Sequence, residues 1–211
     1  MSSTMSMNLI IHAAIRRDIK RFGAALDNFP AGSSERAGQL ANAWKFLGSE
    51  LRYHHHSEDE LFFPAFAAVG ASKDLLAEMD AEHHRLADAV GGCDTAFAAL
   101  ATSPSETNAA AARAAIGTLS GTVEAHFSHE ERDLEPVLTA NLDAPPVKEA
   151  VKKVQRSRNP VAGGQFMAWL ADGAGEPEKT ALAETIPGPV RYIFGNVVGR
   201  GYNRVAATWK A

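Results

Sequence analysis

Apolar residues recur at three- and four-residue steps through the first two thirds of the chain, in two matched pairs of segments. That spacing lines one face of an α-helix, and such a face has to be buried against other helices. One seam starts at His12 and continues through Ile15, Ile19, Phe22, Leu26 and Phe29 at offsets of +3, +7, +10, +14 and +17. Another starts at His83 and continues through Leu86, Val90, Cys93, Phe97 and Leu100 at the same offsets. The two remaining seams run in the opposite sense. Leu40, Trp44, Leu47 and Leu51 precede His54 at −14, −10, −7 and −3, and Ala112, Ile116, Leu119 and Val123 precede His126 identically. Both continue with a glutamate at +4 (Glu58, Glu130) and a proline at +10 (Pro64, Pro136). The chain therefore contains two copies of one unit: a helix bearing His, then a helix bearing His-x-x-x-Glu.

Breakers and capping residues separate the seams at Pro30–Ser34, Gly70–Ser72 and Ser103–Ser105. No segment alternates with the period of a strand. The expectation is an all-α, up-down-up-down four-helix bundle over residues 1–144, with a helical extension over 145–211 packed on it. Pro145-Pro146 marks the boundary, and the charge changes there. Residues 1–144 hold 11 Lys/Arg against 20 Asp/Glu, a net of −9, and residues 145–211 hold 10 against 5, a net of +5. In the extension, 146–158, 160–172 and 177–185 read as short helices. An apolar stripe of Val190, Ile193/Phe194, Val197 and Tyr202 follows.

The overall charge of −4 argues against nucleic acid as a partner. No stretch approaches the roughly 18 consecutive apolar residues of a membrane helix. The N-terminus lacks a basic segment followed by an apolar one, so a cytoplasmic protein with no membrane partner is expected. Cys93 is the single cysteine, which excludes disulfides and thiolate metal clusters.

The histidines and glutamates that interrupt the seams carry the chemistry. Residues four apart on a helix stand about 6 Å apart on one face, so each His-x-x-x-Glu pair reaches a common point. Unpaired carboxylates in an apolar core cost several kcal/mol, and metal coordination removes that penalty. Imidazole and carboxylate donors suit iron, manganese or zinc. Six donors are too many for one tetrahedral zinc, and two glutamates can bridge two ions. The competing reading is a metal-free polar core satisfied by hydrogen bonds. His83 rather than His84 lies on its seam. His55, His56, His84 and His129 fall off the seams and are expected to face solvent, a neighbouring helix or a ligand histidine. Asp59, Glu60 and Glu131 read as the solvated face, with Glu131 at +5 from His126 the alternate ligand.

His12-Ala-Ala-Ile-Arg, His54-His-His-Ser-Glu58-Asp with Phe63-Pro64, Glu82-His83, and His126-Phe-Ser-His-Glu130-Glu with Pro136 resemble the hemerythrin-like (HHE cation-binding) domain. The resemblance spans roughly residues 8–140. It implies two iron ions, bridged by an oxygen species or by carboxylates, inside the bundle. By position the ligands would be His12, His54, Glu58, His83, His126 and Glu130, with no catalytic residue beyond them. The chain departs from the oxygen-carrying members, which have a second histidine four residues on in the third helix and an aspartate at +5 in the fourth. Here those features are Ala87 and Glu130 at +4. The expectation therefore shifts from O₂ carriage toward reaction with small oxidants (H₂O₂, O₂, NO), foremost catalase-like peroxide removal. The alternative is O₂, NO or iron binding or sensing without turnover. Ferritin-like di-iron enzymes are excluded because no repeated Glu-x-x-His occurs.

Overall fold

The computed structural model describes residues 5–185, 188 and 198–210. It contains α1 (Met7–Asp27), α2 (Ser34–Ser57), a π-helical turn (Glu58–Phe62) that runs into α3 (Phe63–Ala68), α4 (Lys73–Thr102) and α5 (Glu106–Asp133). These are followed by α6 (Glu135–Ala140), α7 (Pro145–Ser157), α8 (Pro160–Ala171), α9 (Glu176–Thr185), a 3₁₀ turn (Val198–Tyr202) and α10 (Asn203–Thr208). No strand occurs among the described residues, and the all-α helical bundle expected from the seams is observed. Contacts divide the chain into two compact units, Asp18–Gln155 and Met1–Arg17 with Arg156–Ala211.

The larger unit holds the bundle. The capping residues act where the breakers placed them. Ser33, Ser72 and Ser105 accept the backbone N–H of Arg36, Leu75 and Asn108, which satisfies one orphan donor at the start of α2, α4 and α5. Gly70 ends α3 at φ +92°, a left-handed conformation that favours glycine, and the Ala71 N–H closes the turn on Phe66 O at 2.9 Å.

The seam residues are the core. Leu26, Leu40, Leu47, Leu51, Leu86 and Leu119 are fully buried. Trp44 stacks on Phe97 with ring centres 5.4 Å apart, and Phe22 meets both edge-on at 6.0 and 5.1 Å, so one aromatic layer ties α1, α2 and α4 together. The Trp44 Nε1–H donates to Asp94 Oδ1 at 2.8 Å, and Arg52 also pairs with Asp94. Arg113 on α5 pairs with Asp27 at the end of α1 at 2.8 Å. Cys93 is an inert core thiol, its pKa pushed up to about 12 by burial and, secondarily, by Asp94. A second apolar cluster joins Phe63 and Phe66 of α3 to Met79 of α4, Leu134, and Val147 and Ala150 of α7.

The π turn accommodates Pro64. Proline has no N–H to return to Glu60, and its ring crowds that carbonyl. The Phe63 N–H instead reaches back five residues to Glu58 O, so the helix widens by one residue and continues. Pro64 and Pro136 each stand in the first turn of a new helix, α3 and α6.

In the smaller unit, Trp169, Leu170, Leu182, Tyr202 and Val205 are buried. Arg17 donates to Trp169 O at 3.1 Å, and the Tyr202 hydroxyl donates to Asp172 at 2.9 Å. The Arg158 guanidinium lies 4.3 Å over the Phe166 ring. The three short helices expected after Pro145 are α7, α8 and α9. Val190, Ile193, Phe194 and Val197 of the expected stripe lie outside the described residues. Among the described residues no helix is long and apolar enough to cross a membrane.

Candidate metal centre

Within the larger unit, α2 with its π turn, α4 and α5 direct histidines and carboxylates to one buried place. His54, Glu58, His83, His126 and Glu130 are each at most 7% exposed, although every one is polar. The one-turn offset works as the spacing predicts, with His54 Nε2 3.3 Å from Glu58 Oε1. The second oxygen of Glu58 faces a different helix, with Oε2 3.4 Å from His83 Nε2. In the second copy, His126 Nε2 and Glu130 Oε2 are 3.8 Å apart. The donor atoms of His55, Glu58, His83 and His126 all lie within 4.8 Å of one another, as do those of His54, Glu58 and Glu130. Glu58 belongs to both groups. His12 is completely buried on α1, in the stretch of that helix that belongs to the smaller unit.

Carboxylates at the back of two rings settle how those rings are presented. Asp59 Oδ1 is 2.7 Å from His83 Nδ1, and Glu82 Oε2 is 2.9 Å from His126 Nδ1. A carboxylate accepts, so each Nδ1 carries a proton, and in the neutral ring that a metal requires each Nε2 presents a lone pair to the interior. Those two Nε2 atoms are 3.1 Å apart. Two bare lone pairs at that distance repel unless a cation lies by them. Two donors about 2.1 Å from one ion at roughly a right angle are about 3 Å apart, so the arrangement fits a shared metal. The donor set fits as well, being nitrogen and oxygen only.

The protonation states agree with this chemistry. Burial lowers His126, opposed mainly by Glu130 and by the hydrogen bond to Glu82, and so favours the neutral ligand form. Glu58 is held well above the usual carboxylate range, first by burial and then by the neighbouring Glu130. Without a cation the site therefore favours the protonated form of Glu58, and a metal would compete with that proton. Burial pushes Glu82 up, but hydrogen bonds from His126 and His129 outweigh that and hold it below the usual range.

His55 does not face solvent. It is 8% exposed, with its ring 4.6 Å from that of His83 and 5.4 Å from that of His126. It stands three residues before Glu58, as His54 stands four before, and both offsets lie on the same helical face. The bundle interior at this level takes in both rows. Asp59 and Glu82 are the other residues the seams do not reveal. Asp59 leaves the solvated face to hold His83, and the usable signal is that each acid directly adjoins a ligand in sequence. His84 and His56 are exposed, and His84 bonds only within its own helix, to Asp80 O. His129 joins Glu82 at 3.0 Å, extending the network outward from His126, and also approaches Asp133 at 3.2 Å. The Tyr53 hydroxyl donates to Val154 O, away from the cluster. Ala87, four residues after His83, is exposed and offers no donor, and Met79, one turn earlier, is the buried neighbour.

The outer carboxylates provide a test of this orientation. Asp59→Asn and Glu82→Gln should each weaken metal retention about 10–100-fold, measured by chelator competition, while leaving the helical content unchanged.

The model of the hemerythrin HHE cation-binding domain matches residues 11–138. Neither a curated protein nor a solved structure matches the chain.

Proposed function

The chain belongs to the hemerythrin HHE cation-binding family, and we propose that its bundle holds two iron ions and removes peroxide in a catalase-like reaction. His12, His54, Glu58, His83, His126 and Glu130 would hold the ions, with His12 assigned as the repeat counterpart of His83. The observation that carries the reading is the split reach of Glu58. Its two oxygens address His54 and His83 on different helices, which is what a carboxylate shared between two ions requires. When bound, the iron pair supplies a two-electron change matched to O–O cleavage.

The chain's own residues do the rest. Asp59 and Glu82 fix the tautomers of His83 and His126, so the Nε2 lone pairs stay aimed inward. Phe63 stacks on His83 with ring centres 5.3 Å apart, and Phe127 lies edge-on to His54 at 6.0 Å. These rings set apolar surface beside the donors. Over a cycle one peroxide takes up two electrons and two protons to give two waters. A second peroxide releases the same electrons and protons as O₂.

Iron-loaded protein should evolve O₂ from H₂O₂, read with an oxygen electrode, at one O₂ per two peroxides and well above equimolar free iron. A rate equal to the free-iron control would overturn turnover. Reversible O₂ or NO spectra with peroxide left intact would replace it by the binding or sensing reading.

A further inference from the structure

The repeat that pairs His54 with His126 pairs His55 with Phe127, and at that position the two copies part. Phe127 is fully buried and fills its place with an apolar ring. Packing alone is therefore served at this position by phenylalanine. His55 is nearly as buried, yet it brings an imidazole whose Nε2 has no hydrogen-bond partner. An uncompensated buried polar atom destabilises the fold, so its presence calls for a partner the protein itself does not supply. The His55 ring is also placed for one. The donor atoms of His55, Glu58, His83 and His126 lie within 4.8 Å of one another, while the donors around His54 do not include His55. The third helix offers no competing group, because Ala87 is exposed and Met79 is the buried residue one turn before His83.

Building on the metal reading above, we propose that His55 is a seventh protein ligand, binding at the His83 and His126 end of the pair. The two ion positions are then unequal. One is held by three imidazoles drawn from α2, α4 and α5, and the other has no counterpart of His55 because the repeat places Phe127 there. The near-symmetric set of two histidines and one glutamate per half, suggested by the repeat, gives way to a lopsided one.

The test uses the full chain loaded anaerobically with ferrous iron, in the wild type, His55→Phe and His55→Gln. Iron per chain is measured after desalting, and the rate of iron removal by a chelator is followed for each ion. Phenylalanine copies the other half of the repeat, and glutamine keeps a polar side chain should the aromatic variant fail to fold. The wild type should retain two irons. Each variant should keep one iron released at the wild-type rate and lose the other at least tenfold faster. A soluble variant that retains both irons at unchanged rates overturns the assignment of His55 and leaves the metal reading standing. Wild-type protein that takes up no iron overturns both.

Discussion

Glu58→Gln should abolish retention of the metal pair while leaving the metal-free bundle as stable as the wild type or more so. The two halves of that result have separate causes. Burial and the nearby Glu130 favour the protonated form of the Glu58 carboxyl in the absence of a cation. Glutamine has nearly the same shape and is neutral, so the metal-free protein loses no charge it was using. With metal, the situation reverses. Glu58 belongs to both donor groups and is the residue whose oxygens are divided between His54 and His83. An amide cannot give up a proton to become an anionic bridge, and two cations would then be held with one fewer negative charge in a buried place. Glu130→Gln should weaken binding in the same direction. Metal content after desalting and thermal melts of metal-free protein check both halves. A Glu58→Gln protein that keeps two ions, or whose metal-free form melts far below the wild type, would contradict this role.

Removing the metal should lower stability more than any exposed substitution, and the loss should grow with pH. A ligand present at about 1,000 times its Kd adds about 4 kcal/mol. For a chain of this size that corresponds to a fall in Tm of roughly 8–16 °C on chelation. The pH sign follows from the donors. Glu58 has a folded-state pKa raised above its unfolded value, so in the metal-free chain its contribution is present below the ordinary carboxylate range and lost as pH rises. His55 is lowered by burial, then by His54 and the neighbouring histidines, and His126 is lowered mainly by burial. Their contribution is present above the ordinary imidazole range and lost as pH falls. Metal binding takes the proton from Glu58 and uses the neutral imidazoles, so acid opposes it at every donor. The difference in Tm between loaded and chelated protein should therefore be larger at pH 8 than at pH 6. A difference that shrinks over that interval would mean that Glu58 is not the group giving up the proton.

The legible and illegible parts of the site divide along a physical line. His83 could be separated from His84 because the seam offset that places His83 inward also carries Leu86, Val90 and Cys93, which are buried, whereas His84 is exposed. The caps at Ser33, Ser72 and Ser105 were legible because a short side-chain oxygen before a helical run has one local use. His55 was not, since a seam traces a single line of contact while the bundle at the level of the polar cluster encloses a wider arc. The repeat hid it further, because its partner position holds Phe127. Asp59 and Glu82 hid for the opposite reason. Each shows part of its carboxylate to solvent and makes its one important hydrogen bond across to another helix, a pairing no spacing within one helix reveals. The π turn at Glu58 was foreshadowed by Pro64 only as a break. Continuing the helix with one wider turn keeps both α2 and α3 packed, and a proline in the sequence does not say which solution the core will favour.

Iron counted per chain by metal analysis, on full-length protein loaded anaerobically and desalted against a chelator, decides whether these donors form a two-ion centre. Two irons per chain are expected, falling to at most one when His54 or His83 is replaced by alanine. One iron per chain, or none, in the wild type would contradict a bundle built around a shared pair.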